Sequence, residues 1–142
     1  LHNHSDSVIV QDGTRANMNY VLQGCTTIVT GNCGSGPVNV KDYYDLVNSA
    51  GAGTNVVHLL PQGNLRREVI GNARRKATDK EIARMRVERA KRLMIETEAS
   101  FKALAVDLGF RNADHFYKVF LRVEGITPSQ YRANRGWDQS IL

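Results

Sequence analysis

Two groups of residues are spaced for chemistry. His2 and His4, followed by Ser5 and Asp6, place two imidazoles one residue apart. On a strand or extended loop, positions i and i+2 point the same way, so both rings can reach one divalent cation. A lone pair of this kind near a chain terminus also arises by chance. The second group lies between Arg111 and Arg132, where basic and aromatic residues interleave. If Asn112 opens the second helix of a helix-turn-helix, the start of that helix faces base edges. Ala113, Asp114 and Lys118 then sit there, with His115 at the margin. Lys118 could donate to guanine, Ala113 touch a thymine methyl, and Asp114 accept from cytosine. Arg111, Asn112, Arg122 and Arg132 suit phosphates, and Tyr117 suits either role. Taken singly, each exposed charge is equally well a solvated surface residue.

The elements that must position the second group are legible. Phe101, Leu104, Ala105 and Leu108 recur at i, i+3, i+4, i+7, and Phe116, Val119, Phe120 and Val123 repeat the pattern. Ser100 and Asn112 are placed as N-caps, and Gly109 as the left-handed stop between the helices. The spacing alone equally describes an αα-hairpin in an ordinary helical domain. Gly125 then stops the second helix, and Thr127-Pro128-Ser129-Gln130 signals another start with a capping box and Pro at the first position. Upstream, residues 78–98 read as one long helix, with Thr78 as cap and Glu81 three residues later. Its apolar stripe is Ala83, Val87, Ala90, Leu93 and Met94, and its other face, with Lys80, Arg84 and Glu88, reads as solvated.

The first group stands before a different pattern. Residues 24–30 read as a turn into a β-branched strand, which runs into the loop Gly31-Asn32-Cys33-Gly34. A short helix is expected over 42–50, a buried strand over 55–60 and a helix over 65–70. Helices alternating with short apolar strands indicate βα units and a parallel sheet.

Composition agrees with two segments. Residues 1–71 hold 4 Lys/Arg against 5 Asp/Glu, a balance of −1; residues 72–142 hold 15 against 9, a balance of +6. Nine of the 12 glycines lie in the first segment. The basic half suits a polyanion, tempered by Asp107 and Glu124 near the recognition face. No apolar run approaches the roughly 20 residues of a membrane span. Cys25 and Cys33 lack a zinc-finger spacing, and with no secretory signal pattern they are expected as reduced thiols in a cytoplasmic setting. The start, without Met, suggests a piece of something longer or a processed product.

Residues 86–135 resemble the second DNA-binding half of the AraC-type bacterial transcription regulators. The resemblance rests on Arg89-Ala90, Arg92-Leu93, Ala105…Gly109-Phe110, His115-Phe116, Phe120-Leu121-Arg122, and Gly125-Ile126-Thr127-Pro128…Tyr131-Arg132. It implies a unit of two helix-turn-helix motifs joined by a long helix, which residues 86–97 would supply. Leu121 stands where that family usually carries a basic residue. The first motif is replaced by other sequence, since residues 1–85 resemble the N-terminal part of the D-aminoacylases of the amidohydrolase superfamily. Here the landmarks are His2-x-His4-Ser5-Asp6, Gly24-x-Thr26-Thr27 through Gly31-Asn32-Cys33-Gly34, and Leu65-Arg66-Arg67…Ile70-Gly71. This second resemblance implies a metal-dependent (β/α)₈ barrel that hydrolyses acyl amides, with zinc held by His2, His4 and Cys33. Such a barrel needs roughly 250 residues, and its remaining ligands and catalytic aspartate would come from later strands. His58, inside an apolar strand, reads as a core histidine, and no catalytic residue is assigned.

The expected fold is therefore an α/β fragment (a partial β/α barrel) over residues 1–78, followed by an all-α helix-turn-helix module over residues 79–142. The expected function is sequence-specific binding of double-stranded DNA and transcription regulation, as a homodimer. Two rivals remain. One is a deacylase fragment inactive on its own. The other is a chimaera without selected function, suggested by two resemblances that meet inside a helix.

Overall fold

The computed structural model describes residues 3–134. The chain divides into two compact units between Arg74 and Arg75.

The first unit holds helix α1 (Met18–Val21), strand β1 (Thr27–Thr30), helix α2 (Val40–Ala50), strand β2 (Asn55–His58) and helix α3 (Gln62–Ile70). The strands pair in parallel, Thr27 opposite Asn55 through Thr30 opposite His58, with α2 in the crossover between them. This is one βαβ unit. The wider expectation is corrected here: among the described residues the sheet has two strands, and no part of a barrel wall beyond them is formed. Helix α2 starts two residues earlier than the sequence suggests because Asn39 caps it, its side chain accepting from the Asp42 amide. Strand β2 stops at His58, and Pro61 precedes α3. The loop after β1 packs tightly over the end of β2. Gly31 has φ +78°, and a Cβ there would collide with the Leu59 carbonyl oxygen.

His58 lies in the interior, as the apolar strand around it suggests. Its Nε2 lies 2.9 Å from the Pro37 carbonyl oxygen and its Nδ1 lies 2.7 Å from Thr30 Oγ1. A carbonyl only accepts, so Nε2 carries the proton, and in the neutral ring Thr30 donates to Nδ1. Tyr43 packs against the ring at 4.5 Å and donates to the Asp6 carbonyl oxygen. Ile9, Ile28, Tyr43 and Val47 form the buried apolar cluster of this unit.

The second unit is helical: α4 (Asp79–Glu96), α5 (Phe101–Asp107), α6 (Ala113–Glu124) and α7 (Pro128–Ala133). Thr78 and Glu81 form a complete capping box at the start of α4, and Thr127 and Gln130 form one at α7. Val87, Ala90 and Met94 of α4 bury the expected stripe against Leu104, Ala105 and Leu108 from α5 and its cap, and against Phe116, Val119 and Phe120 of α6. Val123 departs from its expected place and lies at the surface. The last turn of α6 instead meets α4 through Glu124, which pairs with Lys91. No helix among the described residues is long and apolar enough to cross a membrane.

Candidate nucleic-acid interface

The turn between α5 and α6 is built by hydrogen bonds that the sequence prescribes. Gly109 adopts φ +71°, its amide donates to Val106 O, and the next amide, of Phe110, donates to Ala105 O. This pair of bonds is the Schellman closure, and it turns the Phe110 side chain into the core. Two residues later the Asn112 side chain accepts from the His115 amide at 2.8 Å and starts α6.

Helix α6 is held by one face and displays the other. Phe116, Val119 and Phe120 are buried, whereas Asp114, Lys118, Leu121 and Arg122 are exposed. With 3.6 residues per turn these four lie together opposite the buried stripe. Ala113 is half-buried at the helix start, and Arg111 and Asn112 are exposed in the turn. His115 is exposed, but Nδ1 accepts from the Arg111 amide at 3.3 Å and its ring stands edge-on to Phe110 at 5.7 Å. It therefore stiffens the turn as well as standing at the margin of the face.

Two side chains placed at DNA by sequence are engaged within the fold. Tyr117 is half-buried, with its ring edge-on to Phe101 at 5.4 Å and its hydroxyl 2.5 Å from Ser129 Oγ. Arg132 is turned inward. Its guanidinium carbon lies 4.2 Å from the Phe101 ring centroid, and Nη2 donates to Ala99 O at 2.6 Å. Arg132 is thus engaged within the fold, because a guanidinium stacks on an aromatic face while its edge donates to a carbonyl.

The local charge also differs from a plain count. Lys91 sits between Glu88, at 3.1 Å, and Glu124, at 3.2 Å. Burial pulls its ammonium down, but the two carboxylates outweigh burial and hold it above the ordinary lysine value. Glu124 is therefore balanced locally, and Glu88, expected to be merely solvated, belongs to this cluster. Arg86 on α4, not among the residues expected at the site, joins the turn, its Nη1 donating to Gly109 O at 2.9 Å. The available signal was its spacing: it lies three residues after Ala83 and four before Ala90, beside the buried stripe.

His2 lies outside the described residues, while His4 and Cys33 are exposed. Among the described residues no group of three or more His, Cys, Asp or Glu side chains is arranged to hold a metal ion.

A short helix, a Schellman turn and a second helix with a polar outer face define the helix-turn-helix class. Residues 61–134, just over half of the chain, match the family described as "Helix-turn-helix domain", and the chain belongs to it. The domain is of the AraC type found in DNA-binding transcription regulators. The chain is also similar to the melibiose operon regulatory proteins of Escherichia coli K12 and Escherichia coli O6:H1. Each is 35% identical over 51 residues, which is 36% of this chain and 17% of the relative. The chain thus matches less than a fifth of the length of these regulators. No solved structure matches the chain.

Proposed function

We propose that this chain binds double-stranded DNA in a sequence-specific manner and serves as the DNA-reading part of a cytoplasmic transcription regulator. The binding module is residues 79–142, with α4 as its leading helix. The observation that carries the reading is the exposed row Asp114, Lys118, Leu121 and Arg122 on a helix anchored by Phe116, Val119 and Phe120. Such a helix can enter a major groove, which admits a single α-helix. Lys118 and Asp114 read base edges near its start, and Arg122, Arg111 and Asn112 meet phosphates. Leu121 adds an apolar contact suited to a thymine methyl. One such motif makes few contacts alone, so two copies acting on half-sites about one helical turn apart complete the interface.

The test is fluorescence anisotropy with labelled mixed-sequence duplex. Binding at low salt should weaken steeply as salt rises, because released counterions drive it. No binding near about 50 mM salt would end this reading. Replacing Lys118 and Arg122 together with alanine should abolish binding. Unchanged binding in that variant would assign the attraction to basic residues elsewhere.

A further inference from the structure

The helix-turn-helix is gripped at both ends of its first helix by arginines that belong to neither helix of the pair. At the N-terminal end, Arg132, from α7, donates to the carbonyl of Ala99, immediately before the Ser100 cap, and stacks on Phe101, the first residue of α5. At the C-terminal end, Arg86, from α4, donates to the carbonyl of Gly109 and lies over the Phe110 ring at 5.8 Å. Gly109 and Phe110 are the two residues that close the turn, and Asn112 starts α6 two residues later. A cation at the C-terminal end of α5 also faces the negative end of its dipole.

We infer that Arg86 and Arg132 are positioning residues for the recognition helix: by clamping the two ends of α5 they set how α6 presents Asp114, Lys118 and Arg122, without touching DNA. This rests on the DNA-binding reading above. Both arginines use the same pair of features, a planar cation against an aromatic ring and an N–H edge on a backbone carbonyl. Lysine supplies the charge but not the plane or the fork. The same two rings also meet aromatic side chains of α6, Phe101 with Tyr117 and Phe110 with His115, so each arginine acts where α5 joins α6. The orientation of the reading helix is therefore set by α4 and α7, the helices on either side of the pair, together with the buried face of α6 itself.

The experiment uses the full chain, a duplex recovered by the wild-type chain from a randomised pool, and a mixed-sequence duplex. Affinity for both is measured across a salt series for R86A, R132A, R86K and R132K, with R122A as the phosphate-contact reference. Clamp variants should lose about tenfold or more in affinity for the recovered duplex, the worth of one good base contact. Their preference over mixed duplex should shrink, while the slope of log K against log salt stays that of wild type. R122A should instead flatten the slope by about 0.9. In the free protein, the Phe110 amide should exchange faster in R86A than in wild type. The lysine variants, which keep the charge, should show the same reduced preference. A flattened slope in R86A or R132A would make them phosphate contacts and overturn the inference. So would a loss that disappears once affinity is corrected for the folded fraction measured by circular dichroism. If wild type binds no duplex at all, the DNA-binding reading fails and takes the clamp role with it. If wild type binds and the clamp variants match it, the clamp role alone fails.

Discussion

The two units of this chain hold themselves together by different means. Among the described residues the helical unit buries ten side chains in one apolar cluster, drawn from segments whose starts and stops are encoded locally. The βαβ unit has a buried apolar cluster of four residues, and Asn3, Asn17, Thr30, Thr54 and His58 are buried with it. Those polar groups are satisfied across long stretches of chain. Asn17 donates to Thr54, Asn3 donates to Val29 O, and Thr30 meets His58. A core of interchangeable hydrocarbon tolerates distant sequence change. A core of matched donors and acceptors does not, since removing one partner leaves the other buried and unpaired. The proposed DNA-reading surface lies on the unit built the first way, and its exposed side chains Asp114, Lys118, Leu121 and Arg122 stand outside the buried cluster.

The comparison breaks most visibly at Phe116, which is fully buried at the centre of the helical cluster. Phe116→Ala should cost about 3–5 kcal/mol. Hydrogen exchange should then rise throughout α4 to α7 and stay unchanged in β1 and β2; a parallel rise in both units would show that they are not independent. Alkali should act on the other unit. Tyr43 is pushed up to about 12, chiefly by burial, with Asp6 adding to the rise and a hydrogen bond with Thr30 opposing it. Its folded value lies above the unfolded value of about 10, so the fold favours the protonated phenol. That contribution is fully present below about pH 10 and drains as pH rises towards 12, an effect of at most about 2–3 kcal/mol. Tyrosinate absorbance followed with β1 exchange should show the loss, and Tyr43→Phe should remove this limb. Thr30→Val keeps the shape and deletes the donor to His58. It should destabilise the βαβ unit by about 1–3 kcal/mol in a urea titration, with little change in the helical unit. The smallest effect belongs to Thr78→Ala. Loss of this cap should lower the stability of the helical unit by about 1 kcal/mol, visible as a modest fall in its melting temperature.

The same contrast decides how much was legible in the sequence. The helical unit is readable because its signals are local. Ser100, Gly109, Asn112 and the Thr127–Gln130 box each act within about four residues of where they stand, and the apolar spacing of α4 to α6 maps onto the buried face save for Val123. The parallel pairing of β1 and β2 was also readable from alternating elements. The extent of the sheet was not, because strand number depends on long-range pairing that no single segment encodes. At the interface, sequence placed Lys118, Asp114 and Arg122 on the outer face of α6, where they lie exposed. It did not foresee the intramolecular contacts of Arg132, which it placed at phosphates, or of Arg86, since a long cationic side chain reaches inward or outward with equal ease, and its neighbours across helices decide which. The deacylase-like landmarks have no assembled metal site among the described residues, and no relative found by comparison supports them.

The start of α4 carries a consequence of another kind. Arg75 meets both carboxylate oxygens of Glu81, at 2.7 and 2.8 Å, while Glu81 also accepts from the Thr78 amide. These bonds hold the Glu81 carboxyl well below its ordinary range, so the cap stays ionised even in moderate acid. Every partner in this start signal lies within seven consecutive residues. A helix that announces its own beginning in this way asks nothing of the sequence before it. Arg75, Thr78 and Glu81 therefore fix the first residue of α4 by contacts confined to its own start.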